Sequence, residues 1–250
     1  MRSWKEKKWA KRVDILGVMV ASSPMSEVLK RIRFKIQESR FNSPVFRPFF
    51  VVTVNPEFVV MSQEDEEFKR ILNKADLAIP DGAGLKLAGA KYAVPGRVVV
   101  EALLKSKPRA FYLGGRDGVA KKMADKYGGK GDEGHENIKY QISNIKSNSK
   151  IIKKINQFKP DLLLVAYGAP WQEKWIYRHL PEIKAKVVMG VGGTFDYLVG
   201  KSKVPPDWVT EVGWEWLWRL VYEPWRWRRQ LRLVKFVCLV AMGRFGIVDG

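Results

Sequence analysis

The chain has 250 residues, 46% of them hydrophobic and 28% charged, and 45 Lys and Arg against 26 Asp and Glu give a net charge of +19. This balance excludes a disordered, collagen-like or wholly membrane-embedded chain and suits one α/β domain with an appendage. A single cysteine, Cys238, excludes a disulfide framework, and two histidines argue against a His-rich metal site. The basic excess favours anionic partners: nucleic acid, an anionic membrane or phosphorylated small molecules.

No segment is typical of a signal peptide or of a membrane-spanning helix. The stretch Val13–Val20 contains Asp14 and lacks a small-residue cleavage site. The late apolar run Leu231–Phe245 is interrupted by basic residues and falls short of the roughly 20 apolar residues that a spanning helix needs. We therefore expect an intracellular protein that lies on a membrane if it meets one.

The first half of the chain alternates strand and helix patterns. Phe49–Val54 is predicted to be a buried strand, and helical spacing follows over Glu57–Lys74. A second strand, Asp76–Ile79, ends in the turn Pro80–Gly84, after which Leu85–Ala90 is predicted to be helical. This strand–loop–helix order is typical of parallel sheets.

The pattern continues in the second half. Ala110–Leu113 is a predicted strand, Val119–Tyr127 is the helix that follows it, and the polar segment Gly128–Lys150 is a predicted surface connection with one edge strand. Two further apolar strands, Asp161–Ala166 and Lys186–Val191, end in glycine-containing loops. The predicted fold is α/β, a Rossmann-like and mostly parallel sheet with helices on both faces, whose ligands collect at the carboxyl ends of the strands.

The composition changes near Pro205, where we place a boundary between a catalytic or binding domain, residues 1–204, and a C-terminal appendage, residues 205–250. Six of the ten tryptophans lie between Trp208 and Trp227, with arginines interleaved. A basic, amphipathic and aromatic segment of this kind suits an anionic membrane interface, and it also suits single-stranded nucleic acid. Packing of some tryptophans onto the core is a third explanation.

Glycine-rich loops follow three of the predicted strands. Gly114 opens the first loop, Gly168 the second, and Gly192 and Gly193 lie in the third. Backbone N–H groups in such loops can bind phosphate, although tight turns also require glycine. The spacing in none of the loops is that of a dinucleotide fingerprint, so neither an organic cofactor nor a metal is predicted.

Polar residues stand at the same strand ends. Thr53 and Asn55 end the first strand, where Asn55 before Pro56 also fits a helix cap. Asp81, in a Pro-Asp-Gly turn, could take a proton from a sugar hydroxyl as a general base, or could simply form the turn. Gln172 and Glu173 are predicted to lie in the first turn of a helix, near the strand ends.

These segments, in this order, resemble the WecG/TagA/CpsF family of bacterial glycosyltransferases. The resemblance covers roughly residues 13–235, and the blocks that carry it are Val13–Val18, Thr53–Glu57, Asp76–Gly84, Gly168–Glu173, Gly190–Asp196 and Trp214–Leu220 with Glu223-Pro224. It implies an inverting, metal-independent transfer of an N-acetylmannosamine-type sugar from a UDP-sugar donor to a polyprenyl-diphosphate-linked N-acetylglucosamine acceptor. The product would feed teichoic acid, common antigen or capsule-type polymers.

The resemblance also implies roles for individual residues. Asp81 resembles the catalytic base, Thr53 and Gln172 resemble residues that position the sugar or acceptor, and Asn55 supports the same pocket. The loop Gly190–Asp196 is expected to border the uridine diphosphate, with the substrate-binding predictions Gly192, Gly193, Thr194 and Asp196 inside it. Gly114 and Gly168 complete the set of loop residues predicted to bind substrate.

Arginines complete the predicted binding set. Three arginines of the C-terminal appendage, called the tail below, resemble family arginines: Arg219, Arg226 and Arg229. We expect one or more of them to close over the donor diphosphate. Arg97 is retained in a block that resembles a family motif, whereas Val100 and Glu101 stand where the family usually has glycine and aspartate. These two departures bear on the preference for the donor sugar and for the acceptor.

Three expectations concern partners. The protein is expected to be cytoplasmic and peripheral, on the inner face of the bacterial cell membrane, and a homo-oligomer that hides the tail until it reaches the membrane is a further hypothesis. The alternative to an enzyme is a basic nucleic-acid-binding protein with a Rossmann-like core. No nucleic-acid recognition motif is present, so no specific nucleic-acid partner is predicted.

Overall fold

A computed structural model describes residues 11–38, 46–135, 138–206, 209, 215–222 and 227–244. Within these residues, eight strands form two sheets: β1 Arg12–Ile15, β2 Val18–Ala21, β3 Phe49–Val54, β4 Leu77–Pro80, β5 Ala110–Gly114, β6 Lys130–Asp132, β7 Leu162–Ala166 and β8 Val187–Gly190. β1 and β2 form an antiparallel hairpin, and the other six pair in parallel in the order β4-β3-β8-β7-β5-β6. β3, β4, β5 and β8 are buried throughout, as expected of parallel strands covered on both faces.

The helices are α1 Met25–Gln37, α2 Pro56–Glu64, α3 Glu66–Lys74, α4 Gly96–Leu104, α5 Val119–Tyr127, α6 Ile138–Gln141, α7 Ile145–Phe158, α8 Trp171–His179, α9 Thr194–Leu198, α10 Glu215–Tyr222 and α11 Trp227–Arg244. One apolar layer joins the sheet to the hairpin, α2, α3, α7, α8 and α11, and includes the buried rings of Phe50, Phe68 and Trp175. A second layer joins the opposite face to α1, α4, α5 and α9 around Tyr112 and Phe195. The predicted Rossmann-like fold is confirmed.

Three predicted elements differ from the structure. The predicted helix Glu57–Lys74 is two helices, because Asp65 interrupts it and its carboxylate accepts the N–H of Phe68 as the cap of α3. The predicted helix Leu85–Ala90 is a 3-10 helix at Ala83–Ala88.

The third difference lies in the segment Gly128–Lys150. Its edge strand, β6, is present, but α6 and the beginning of α7 occupy part of the expected surface connection. Ile138 and Ile142 are buried there. Both side chains belong to the apolar layer that covers this face of the sheet.

The end of the described chain packs on the domain. α11 lies against α2, with Phe236 fully buried and Leu239 and Val240 half-buried against the core. Arg232 pairs with Glu57, and Lys235 pairs with Glu64. The predicted domain boundary near residue 204 stays a prediction. Among the described residues, no helix is both long enough and apolar enough to cross a membrane.

Candidate active site

The carboxyl ends of β3, β8 and β7 lie side by side, and the space between their loops is called the crevice below. Helix α2 follows β3 and helix α8 follows β7, and both pack on one face of the sheet. Helix α9 follows β8, the strand between β3 and β7, and packs on the opposite face. Where neighbouring strands send their connections to opposite faces, the loops separate and leave room for a ligand. The predicted site residues on these strands therefore lie around one opening.

Thr53 and Asp81 lie on neighbouring strands at one side of this crevice. The Asp81 N–H donates to the carbonyl oxygen of Val54 at 2.6 Å, which holds the turn after β4 against the end of β3. The Oδ1 atom of Asp81 accepts the N–H of Gly96, the first residue of α4, at 3.0 Å. This hydrogen bond from the first residue of α4 fixes the orientation of the carboxyl group.

Gly96 also makes room for Thr53. A Cβ atom at position 96 would lie 2.7 Å from Cγ2 of Thr53, so the backbone of α4 can approach both side chains only as glycine. Thr53 is buried, and its hydroxyl donates to the carbonyl oxygen of Gly190 at 3.4 Å. Gly96 is a site residue that the sequence analysis did not select, whereas Gly190 belongs to the loop that it expected to border the uridine diphosphate.

Asn55 and Arg97 flank this pair. The side chain of Asn55 caps α2 by accepting the N–H of Phe58 at 3.0 Å, which is the capping role that the sequence allowed. Arg97 is half-buried and directly follows Gly96. Val100, one turn further on, is fully buried in the core, so the departure from the family pattern at this position changes packing against the sheet.

Gln172 connects the loop that follows β7 with the loop that follows β8. Its Oε1 atom accepts the N–H of Gly168 at 3.1 Å and the N–H of Gly192 at 2.9 Å. Its Nε2 atom donates to Oε1 of Glu173 at 2.7 Å. Gln172 is almost fully buried, so it shapes the floor of the crevice.

Glu173, which the sequence places beside Gln172 in the first turn of α8, has a role that the sequence analysis did not assign. Its carboxyl is fully buried, and burial raises its pKa to about 7, against the hydrogen bond from Gln172, which lowers it. A Cβ atom on Gly190 would lie 2.7 Å from its Oε1 atom. No local signal marks this pair as buried, because glutamine and glutamate in the first turn of a helix are mostly exposed.

The loop after β8 carries the remaining predicted residues. Thr194 is buried and its N–H donates to the carbonyl oxygen of Val191, whereas Gly193 is exposed at the beginning of α9. Asp196 is half-buried, and its Oδ1 atom lies 3.9 Å from Nζ of Lys201. These residues border the crevice next to the Gln172 bridge.

Gly114 lies farther away. It ends β5, which is four strand spacings from β4 and hence roughly 19 Å from the end of that strand. A Cβ atom at this position would lie 2.8 Å from the ring of Tyr167 and 3.1 Å from the backbone of Ala166. Close packing against β7 therefore accounts for this glycine, and the structure does not bring it to Asp81.

Helix α11 of the tail runs beside the turn that contains Asp81 and Gly84. Leu233 of α11 would lie 3.6 Å from a Cβ atom on Gly84, and Arg232 pairs with Glu57 in the first turn of α2. Arg226 and the side chains of Arg219 and Arg229 lie outside the described residues. In the described part of the chain, no three His, Cys, Asp or Glu side chains cluster as they would to hold a metal ion.

Comparison with known proteins decides the family. The model of the Glycosyl transferase WecG/TagA/CpsF family matches residues 13–247. The chain belongs to this family. As a WecG/TagA/CpsF protein it is a glycosyltransferase, which favours the enzyme over the nucleic-acid-binding alternative.

Curated relatives share the match. A protein of Bacillus subtilis strain 168 is 32% identical, with 76% of this chain and 78% of the relative covered. A protein of Staphylococcus aureus strain MRSA252 is 27% identical, with 89% of this chain and 88% of the relative covered. Both are named N-acetylglucosaminyldiphosphoundecaprenol N-acetyl-beta-D-mannosaminyltransferase.

Proposed function

We propose that this WecG/TagA/CpsF protein transfers N-acetylmannosamine, or a closely related sugar, from a UDP-sugar to a polyprenyl-diphosphate-linked N-acetylglucosamine. The names of its relatives support the transferred sugar and the acceptor. The observation that carries the proposal is the Asp81 carboxylate, oriented by the Gly96 N–H at the rim of a crevice formed by strand ends. Biosynthesis of a cell-surface polymer is the process in which such a product serves.

The proposed step is a direct displacement at the anomeric carbon of the donor. Asp81 takes the proton of the acceptor hydroxyl, whose oxygen forms a bond to that carbon from the face opposite the leaving group. The bond from the carbon to the diphosphate oxygen breaks, and its electron pair leaves with UDP. A single attack from the opposite face inverts the configuration. Thr53 and Gln172 would hold the sugar and the acceptor in line.

The leaving diphosphate needs positive charge or N–H donors. We assign these to the loop containing Gly192 and Gly193 and to the tail arginines Arg219, Arg226 and Arg229, with no bound metal and no cofactor in the step. The sequence contains no Asp-x-Asp motif, which supports a metal-independent step. Arg97, which directly follows Gly96, would attract the same anionic donor.

The tail would also hold the enzyme at the inner face of the bacterial cell membrane. Leu231, Val234, Val237 and Met242 are exposed along α11, and Val234 is 61% exposed. They stand on a helix whose other side is fixed to α2, so they can contact lipid without unfolding the tail. Basic residues of the tail would add attraction to anionic lipids.

A donor panel tests the reaction. The protein is incubated with a lipid-diphosphate N-acetylglucosamine acceptor and UDP-N-acetylmannosamine, UDP-N-acetylglucosamine or UDP-glucose, with and without a chelator, and the lipid product is identified by mass spectrometry. We expect product from UDP-N-acetylmannosamine alone, at an unchanged rate with chelator. Product only from another donor, or no product from a folded protein, contradicts the proposed substrate.

Vesicle flotation tests the membrane role. Wild type is expected to float with vesicles that contain anionic lipid, and Leu231→Glu with Val234→Glu is expected to stay at the bottom. The matched control, Glu66→Gln on the exposed surface of α3, should float like wild type. Size exclusion of the same samples tests the homo-oligomer hypothesis: a monomer both with and without vesicles contradicts an oligomer that hides the tail.

A further inference from the structure

Two adjacent polar side chains are buried together at the beginning of α8. Gln172 and Glu173 have almost no exposed surface, although both are polar and one carries an ionisable group. Burying such groups is costly unless each is hydrogen-bonded, so their arrangement needs a compensating gain. Lys174, the next residue, fixes α8 to α3 through Asp65 and Glu67 at 2.7 and 2.8 Å.

The orientation of the Gln172 amide is determined by its partners. Two backbone N–H groups, those of Gly168 and Gly192, point at the same side-chain atom. Because an N–H can only donate, that atom must be the amide oxygen. The amide nitrogen must then face Glu173, and the carboxyl Oε1 atom accepts its hydrogen at 2.7 Å.

Glu173 therefore holds the bridge between two loops. Without an acceptor at its Oε1 position, the buried amide nitrogen would lose a partner, and rotating the amide to find another would break the bonds to Gly168 and Gly192. The same Oε1 atom lies against the backbone of Gly190, whose carbonyl oxygen accepts the Thr53 hydroxyl. One buried carboxyl thus contacts both the loop bridge and the strand end that faces Thr53.

We propose that Glu173 is a positioning residue for sugar transfer, which sets the separation of the Gly168 and Gly192 loops through the Gln172 amide. This inference rests on the proposed function, because its consequence is a misplaced donor. A displacement of about 1 Å in a preorganised site can cost on the order of 100-fold in rate. The loss falls on turnover more than on donor binding, since the loops still exist but no longer hold the diphosphate in line.

Kinetics of matched variants test the role. Glu173→Met fills a similar volume without an acceptor, and Glu173→Gln keeps an acceptor oxygen for the Gln172 amide. Glu66, also in the first turn of its helix, is 83% exposed, so Glu66→Met and Glu66→Gln serve as controls. We expect Glu173→Met to lower kcat by about 100-fold with KM within about threefold, Glu173→Gln to restore kcat to within about threefold of wild type, and both controls to match wild type.

A second readout needs no substrate. Hydrogen exchange at the Gly168 and Gly192 amides should accelerate at least tenfold in Glu173→Met and return to the wild-type rate in Glu173→Gln, while exchange in β7 is unchanged. Gln172→Met removes the same bridge without touching the carboxyl, so it replaces Glu173→Met if that variant does not fold, and it predicts the same acceleration.

The two readouts separate the two ideas. Unchanged exchange at both glycines in a folded Glu173→Met or Gln172→Met variant overturns the positioning role, as does an unchanged kcat in Glu173→Met. If wild type shows no transfer from any donor, the proposed function has failed, and the exchange data alone then decide whether Glu173 holds the bridge.

Discussion

The strand-end site and the C-terminal tail are held in different ways. At the site, buried side chains such as Thr53, Gln172 and Glu173 bond to backbone groups of neighbouring strands and loops. The tail helix α11 is held by one fully buried ring, Phe236, by the half-buried Leu239 and Val240, and by ion pairs at the surface. Surface pairs contribute little, so we expect the tail to open more readily than the sheet.

The comparison assigns separate tasks to the two regions. A site that must hold a diphosphate and a hydroxyl in line benefits from rigid strand ends. A segment that must contact a lipid-linked acceptor benefits from an exposed apolar side and from weak attachment to the domain. Each of the following changes moves one region and leaves the other as it is.

Removing the buried ring of the tail should have the largest effect. Phe236→Ala is expected to cost about 3–5 kcal/mol of packing, because it empties a fully buried aromatic position. Exchange of the α11 amides should accelerate while exchange in β3 and β8 stays slow. Val234→Ala, at an exposed position of the same helix, should change neither; equal acceleration in the tail and the sheet would show that they unfold as one unit.

The buried carboxyl should give the site a pH dependence. Because burial raises the pKa of Glu173 from 4.5 to about 7, the folded state keeps its proton where the unfolded chain has lost it. The contribution of this raised pKa to the free energy of unfolding is complete below pH 4.5. It falls by roughly 3 kcal/mol as the pH rises to about 7.

Denaturant unfolding of wild type and Glu173→Gln measures this contribution. The free energy of unfolding of wild type, relative to the variant, should fall between pH 4.5 and pH 7. A difference that is constant over this range would mean that Glu173 is ionised in the folded protein.

Two glycines compare the regions directly. A Cβ atom on Gly190 would lie 2.7 Å from Glu173 and 2.9 Å from Gln172, both buried, so Gly190→Ala should cost about 1–3 kcal/mol by overpacking. A Cβ atom on Gly243 of α11 would lie 3.8 Å from Leu16, which is an ordinary contact. Gly243→Ala should therefore leave the stability unchanged or raise it by up to about 1 kcal/mol. Equal thermal midpoints of the two variants would contradict the difference in packing.

The parallel sheet could be predicted because its strands are short runs of buried apolar residues ending in glycine loops. Phe49–Val54 has the same bounds in the sequence analysis and in the structure. The split of α2 from α3 could not be predicted from spacing, because Asp65 fits the polar face of a continuous helix and acts as a cap only through its bond to Phe68.

The site was predictable where a residue follows a strand. Asp81 and Thr53 stand at strand ends that meet at one edge of the sheet, and the family resemblance supplied their expected roles. Glu173 was placed beside Gln172, and Gly190 in the loop that follows β8, but the contact between α8 and β8 was not predicted because no local pattern encodes it. Gly114 was selected for phosphate contact, which stays a prediction, and its close packing against Tyr167 is a second reason for glycine at this position.

Acceptor-dependent release of UDP from UDP-N-acetylmannosamine by wild type, Asp81→Asn and Asp125→Asn tests the central claim most directly. Asp125 is exposed on α5, so its amide variant is the matched control. We predict that Asp81→Asn lowers kcat by about 10²–10⁴-fold while remaining folded, and that Asp125→Asn equals wild type. Wild-type turnover by a folded Asp81→Asn would contradict the assignment of the base and, with it, this account of the site.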